Sequence, residues 1–260
     1  MLLLFAIVYI YPFLVAISSS FKTDGDATNN PLALIPQTWT VAAYQQLFSG
    51  SPLPLWALNS AFITIIVTAA RVFFDSLAGY ALSRLKFRGR TIVFSALIAV
   101  MAVPNVVLLI PRFLILKQFG LYDSYAGMII PLIVDAGGIF IMKQFFESIP
   151  VSVEEAARID GANRRQVFWQ VVWPQLTPVT VFATIWQVIG AIQLFDLVYT
   201  TTRGGPLNAT QTIVYYLWQT AFQKLDFGYG SAIAYGLFAI TLLITIGVVI
   251  YSRRSKIEAF

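Results

Sequence analysis

The stretch Pro150–Pro174 reads P-V-S-V-E-E-A-A-R-I-D-G-A-N-R-R-Q-V-F-W-Q-V-V-W-P, a polar, charge-bearing island between two long apolar segments. Pro150 stops the preceding helix, because it has no amide hydrogen to give a helix interior. Ser152 is the expected N-cap, and Glu155, three residues on, completes a capping box. Gly161 supplies the left-handed residue that ends this short helix and turns the chain. A second run, Ala162 to Trp173, ends at Pro174. Ala156 and Ala157 lie between cap and glycine, small enough for another protein's surface to approach the backbone. The island predicts a short helix lying outside a bilayer.

The rest of the chain supplies the bilayer argument. Of its 260 residues 58% are hydrophobic and 11% charged, against roughly 25% charged in a soluble domain. The net charge of +5 suits anionic lipid headgroups rather than nucleic acid, because the basic residues gather at the ends of apolar segments. The chain has no Cys and no His, which removes thiol nucleophiles, His-based triads and the usual zinc and haem ligand sets. No metal site is expected; an enzyme built on Asp/Glu, Ser or Lys alone stays open, although no catalytic residue stands out.

A spanning helix needs about 20 apolar residues, and six windows qualify: Met1–Ser20, Leu58–Ala78, Thr91–Pro111, Ser124–Phe146, Thr177–Tyr199 and Gly228–Tyr251. Between them lie polar stretches at Lys22–Trp56 and Thr200–Phe227, a basic turn at Ser83–Arg90, a short loop at Arg112–Asp123, and a basic end, Ser252–Lys256. The loop set that includes the island holds eleven Lys and Arg and the opposite set five. The positive-inside rule therefore puts the island and both termini in the cytoplasm. With no internal repeat and no dividing linker, residues 1–260 read as one all-α membrane domain, with 150–174 as its cytoplasmic loop.

Ionisable residues at membrane depth mark function or structural pairing. Arg71 and Asp75 are four apart and can pair on one helix face. Asp135, beside Gly137 and Gly138, either caps a broken helix or meets a hydroxylated solute. Gln187, Gly190, Gln193 and Asp196 recur at three-residue steps, a stripe too slanted to face one cavity. Gln193 and Asp196 are near neighbours at its outer end, and amide and carboxylate groups suit sugar hydroxyls. The alternative for Asp196 is that it satisfies loop backbone at the Gly204-Gly205 turn. The aromatic run Tyr215-Tyr216-Leu217-Trp218, with Phe222, reads as an interfacial belt or an outer-surface helix rather than a stacking platform for sugar.

The spacing Glu155-Ala156-Ala157, three residues, Gly161, nine residues, Val171-Val172-Trp173-Pro174 resembles the EAA loop of ABC importer permeases. That family ends the motif I-x-L-P, so Val171 and Trp173 depart from it. Ala78–Arg90 is similar to the turn after the second span in the carbohydrate, maltose-importer-like branch. Ser20-Phe21-Lys22 and Trp39–Tyr44 resemble that branch's smaller permease. Phe195–Tyr199, Gly204-Gly205-Pro206 and Phe222–Ala232 are closer to its larger one.

The resemblance implies a type I importer transmembrane domain forming half of a path for a sugar, polyol or glycerol phosphate. A second permease subunit would supply the other half, as the partner in a heterodimer or as a second copy of this chain. An extracytoplasmic solute-binding protein would dock outside. A dimeric cytoplasmic ATPase would hold ATP and magnesium and receive the EAA helix, with Glu155 facing a basic residue and Gly161 setting the lever angle. The chain has no G-x-x-x-x-G-K-[ST] loop of its own. Membrane lipid is the remaining partner. One rival is a secondary-active transporter or channel; it would need charges poised deep in several spans and would not need the Pro150–Pro174 spacing. A second is an intramembrane enzyme, which would need a clustered nucleophile or metal set.

Overall fold

Backbone amides and carbonyls find no solvent partner in hydrocarbon, so long apolar stretches close their hydrogen bonds internally as helices. The computed structural model describes residues 1–50 and 52–254 and, within them, all side chains except those of residues 2, 3, 164 and 251–254. Among the described residues there are helices and turns and no strand. Ser255 and Lys256, part of the basic C-terminal run, lie outside them. The main helices are α1 (Leu2–Ser19), α2 (Leu53–Arg84), α3 (Arg90–Met101), α4 (Leu109–Gln118), α5 (Ala136–Ser148), α6 (Val151–Ile159), α7 (Thr177–Ile192), α8 (Asp196–Thr201) and α9 (Phe227–Arg254).

Among the described residues, four apolar stretches are long enough to cross a membrane: Leu53–Arg84, Tyr125–Ser148, Thr177–Thr201 and Phe227–Ile250. A fifth crossing is made if the pair Arg90–Met101 and Asn105–Gln118, bent by 97°, counts as one. The first expected span appears as a shorter apolar helix, Leu4–Ser19. The third expected span needs correction. It is not a straight rod ending at Pro111 but breaks at Pro104, whose extended backbone (ψ 132°) opens a 3₁₀ turn at Asn105–Leu108. The supposed loop after Pro111 is instead the body of α4. Proline carries no amide for the helix ladder and restricts the residue before it, so the turn falls there.

The described residues form two compact units. In the first, Met1–Ala61 with Gln193–Leu243, the polar stretch after α1 is ordered by buried charge. The Lys22 ammonium, 1% exposed, donates to the carbonyls of Asn30 (2.7 Å) and Ala33 (2.8 Å). Asp26 accepts from the amide of Gln37 at 2.8 Å and the side chain of Asn30 at 3.1 Å. A cation buried among carbonyls and a carboxylate buried among amides satisfy the backbone at Asn30, Ala33 and Gln37, which lies beyond the end of the short helix Asp24–Asn29. The apolar core of this unit includes Leu47, Trp56, Ile213, Tyr229 and Ile233. The aromatic run forms the short helix Ile213–Trp218, and its rings are packed. Tyr216 lies 3.9 Å from Trp56, while Tyr215 and Trp218 join Phe195 and Tyr199 in one cluster. Burial raises the Tyr215 phenol above its ordinary pKa, so it remains a neutral ring there.

The second unit, Phe62–Ile192 with Ile244–Phe260, holds the island. Its core is Met142, Phe146, Ile149, Val167, Val172, Leu176, Val179 and Ala183, with Tyr80, Ala157 and Trp173 against it. Tyr80 stands edge-on between Phe146 (5.4 Å) and Phe168 (5.5 Å). Such pairs each add about 0.5–1.5 kcal/mol beyond their buried area. Trp173, the departure from the family motif, is accommodated here against Phe168 and Trp169.

Candidate functional site

Helix α6 is short, and its two faces do different things. Its N-cap is Pro150, with no side-chain cap bond. The expected capping box at Ser152 and Glu155 is therefore not formed. Pro150 already has the extended backbone of an N-cap (φ −59°, ψ 131°), so the helix starts at Val151 and Ser152 falls within its first turn. The reciprocal box occurs eleven residues later. Asn163 Oδ1 accepts from the Gln166 amide and Gln166 Oε1 from the Asn163 amide, both at 2.9 Å. The Asn163-x-x-Gln166 spacing was a legible signal for it.

Gly161 acts as expected. Its φ is +89°, Ala162 N donates to Ala157 O at 3.0 Å, and Gly161 N donates to Arg158 O at 3.1 Å. These two bonds form the left-handed stop that satisfies the last carbonyls of the helix. A Cβ at Gly161 would meet nothing within 4 Å, so any penalty is conformational. Gly161→Ala is expected to destabilise the loop by about 1–2 kcal/mol, and Gly161→Asn by much less, because Asn tolerates this region. Amide exchange across Val151–Ile159 measures both, and equal protection in the two variants would argue against the assignment.

The second run does not end at Pro174. Helical backbone continues through a wide turn at Val167–Val172 into Trp173–Gln175 and then α7. Pro174 lies in the first turn of Trp173–Gln175, where its missing amide is tolerated.

One acidic residue of the pair Glu154-Glu155 is buried and the other exposed. Glu154 is 3% exposed, with its Oε1 2.7 Å from Arg84 Nε and its Oε2 3.6 Å from Arg158 Nη2. Arg84 Nη2 also donates to the carbonyl of Ile149 at 2.7 Å. The end of α2 is thus tied to both sides of Pro150. Ala157 packs on the core. Ser152, Glu155, Ala156 and Ile159 are exposed, Ile159 at 85%. Their spacing of 0, 3, 4 and 7 puts them on one stripe of the helix. Sequence reasoning singled out Glu155 and passed over Glu154. The signal for Glu154 was Arg158 four residues on, together with the basic turn at Arg84.

A second cluster lies within the apolar segments. The Arg71 guanidinium donates from Nε to Leu132 O and from Nη1 to Gln187 Oε1, both at 2.5 Å. Asp75, 2% exposed, accepts from the Asp135 amide at 3.0 Å. Asp135 in turn caps α5 by accepting from the Gly138 amide at 2.9 Å. The expected Arg71–Asp75 pair is not among the ion pairs of the described residues. Each instead spans to the broken segment between Leu132 and Ala136, whose unpaired backbone groups need partners in hydrocarbon. Gly138 permits this approach. A Cβ there would lie 2.1 Å from Asp75 Oδ2.

Asp135 is thus a cap. Gln187 is buried as an acceptor for Arg71. Gln193 and Asp196 are exposed, and α7 ends at Ile192, so they do not continue its helical stripe. The turn at Gly204-Gly205 is satisfied without Asp196: Gly205 N donates to Thr202 O at 2.7 Å and Thr210 N to Gly204 O at 3.1 Å.

The sequence of residues 74–256 matches the family described as the binding-protein-dependent transport system inner membrane component. The chain belongs to that family. This permease is 37% identical over 177 residues to the polygalacturonan/rhamnogalacturonan transport system permease protein YtcP of Bacillus subtilis (strain 168), covering 68% of this chain and 61% of that relative. It is 32% identical over 239 residues to the sulfoquinovosyl glycerol transport system permease protein SmoH of Agrobacterium fabrum (strain C58 / ATCC 33970), covering 91% of this chain and 84% of that one. The permease spans less than two thirds of the first relative's length and most of the second's. Its fold matches a chain in the crystal structure of a bacterial ABC transporter involved in the import of alginate, with a TM-score of 0.75 at 24% identity, over 97% of this chain and 92% of that one.

Proposed function

We propose that this permease forms half of the path of an ATP-driven importer for a sugar or a related polyol or glycerol phosphate. Residues 1–260 act as one transmembrane domain crossing six times, with both termini and the 150–174 loop in the cytoplasm. The excess of Lys and Arg on that side of the chain supports this orientation. Relatives named for polygalacturonan/rhamnogalacturonan and sulfoquinovosyl glycerol transport support a hydroxylated cargo. The partners are a second permease, an extracytoplasmic binding protein and a dimeric ATPase that holds ATP and magnesium. Gln193 and Asp196 are the solute-path candidates on this reading, since both are exposed and Asp196 is not engaged at the Gly204-Gly205 turn.

One observation carries the coupling assignment. Helix α6 is fixed on one face by Glu154 and Ala157 and left bare on the other at Ser152, Glu155, Ala156 and Ile159. A rod held rigidly by its own domain, with an apolar and acidic stripe outward, is suited to transmit displacement from a docked partner.

Glu155→Lys tests it. Co-purification of the ATPase should fall sharply while the melting temperature of the permease stays near wild type, since an exposed substitution shifts stability by only about 0.5 kcal/mol. Unchanged co-purification would remove the contact from the proposal. Uptake into vesicles that persists without ATP would instead favour a secondary carrier.

A further inference from the structure

Beside the inner face of α6 lies a cavity of about 500 Å³, lined by four basic side chains, Arg84, Lys86, Arg90 and Arg158, and one acidic one, Glu154. Its volume falls in the range of small-molecule sites. Its charge is uneven by construction. Glu154 is taken up by Arg84 at 2.7 Å and approached by Arg158 at 3.6 Å. Arg90 reaches Glu147 at 3.5 Å. Lys86 forms none of the ion pairs found among the described residues and is exposed. The remaining lining is apolar and aromatic, including Leu85, Val167 and Phe168. The first turn of α6 also opens here at Val151, adding the partial positive charge of a helix N-terminus.

We propose that this cavity binds the phosphate headgroup of an anionic phospholipid, with Lys86 and Arg158 as its principal ligands. Phosphate is the chemistry recognised by the two positive charges left over, Lys86 and Arg158, once Arg84 is met by Glu154 and Arg90 by Glu147. The apolar wall suits the glycerol and upper acyl chain that adjoin a lipid phosphate, and a free phosphate would leave that wall unused. The position fits as well. The cavity lies where α2 runs out into the basic turn Ser83–Arg90 and α6 begins after α5, at the ends of two apolar stretches, where basic side chains meet headgroups. The outward stripe of α6 at Glu155 and Ile159 is about a third of a turn away from Glu154 and Arg158. The lipid and the proposed ATPase contact thus use different faces. A lipid held here would brace the same rod that the ATPase moves, so the inference rests on the functional reading for its consequence but not for its chemistry.

Native mass spectrometry of the intact importer complex tests it, with dioleoyl phosphatidylglycerol and dioleoyl phosphatidylcholine as probes. Wild type should retain phosphatidylglycerol selectively. Lys86→Gln should weaken that retention about fivefold, and Lys86→Gln with Arg158→Gln about 25-fold, at about fivefold per basic residue near a membrane surface. Arg112→Gln, outside the cavity, should leave it unchanged. The single Lys86 variant is on an exposed turn and reports even where the double variant folds poorly. Equal retention of the two lipids by wild type, or unchanged selectivity in Lys86→Gln, overturns the site. Inorganic pyrophosphate separates the sources: phosphatidylglycerol retained in its presence supports the lipid, and pyrophosphate bound in place of lipid overturns the lipid assignment. The two readings fail separately. Uptake that proves independent of ATP while phosphatidylglycerol selectivity persists strikes only the transport reading, and lost selectivity with ATP-driven uptake intact strikes only the lipid site.

Discussion

Glu154→Ala is expected to be the most destabilising single substitution in the island, by about 3–5 kcal/mol, the usual effect of removing one partner from a buried ion pair. The Glu154 and Arg84 side chains are 5% and 10% exposed and their oxygen and nitrogen are 2.7 Å apart. Deleting the carboxylate leaves a guanidinium desolvated with only Ile149 O to meet it. Melting of the purified permease should drop by roughly 6–20 °C, taking about 2–4 °C per kcal/mol for a chain of this size. Arg84→Ala should behave alike, and the double variant should lose less than the sum, because the second deletion removes the orphaned charge. Glu155→Ala, on the bare stripe, should melt within a few degrees of wild type. A Glu154→Ala protein as stable as Glu155→Ala would dismiss the clamp.

Arg71→Met is the second large effect. Met fills much of the volume but leaves Leu132 O and Gln187 Oε1 without donors, both now bonded at 2.5 Å. A hydrogen bond to a charged group contributes about 1.5–3 kcal/mol. With both lost, and no water in hydrocarbon to replace them, a loss of about 3 kcal/mol or more is expected. Arg71→Lys should recover only part of it, since an ammonium on a single stem does not offer the guanidinium's fork to two acceptors. Melting temperature and ATP-driven uptake should fall together in the order wild type, Lys, Met. Equal values for Lys and Met would mean that the fork is not what holds the break.

Where the chain was legible from sequence, a local rule was enough. Gly161 ends α6 because the left-handed conformation is nearly glycine's alone, and that needs no knowledge of neighbours. Asp135 beside Gly137-Gly138 read as a possible cap and is one, because capping is settled within three residues. The apolar windows are helical in large part, but the third breaks at Pro104, the fourth between Leu132 and Ala136 and the fifth after Ile192, and the first is a shorter apolar helix. Local reasoning failed where two local solutions competed. Ser152-x-x-Glu155 has the letters of a capping box, but Pro150 supplied the boundary first, and the box formed at Asn163-x-x-Gln166. Arg71 and Asp75 have the spacing of a helix-face pair, but stronger claims came from the broken segment more than 55 residues away.

By itself, then, the order of residues determined that this is a helical membrane chain, where its polar island lies and how that island's short helix ends. Those outcomes follow from hydrocarbon solubility and from backbone conformations fixed within a few residues. Only the tertiary structure decided which of two adjacent glutamates is a buried strut and which an outward contact, which alanine packs inward, and which backbone Arg71 and Asp75 serve. Those depend on long-range neighbours: a carboxylate's role is set by the charge and solvent around it, and spacing along one helix carries no record of what another brings to its side.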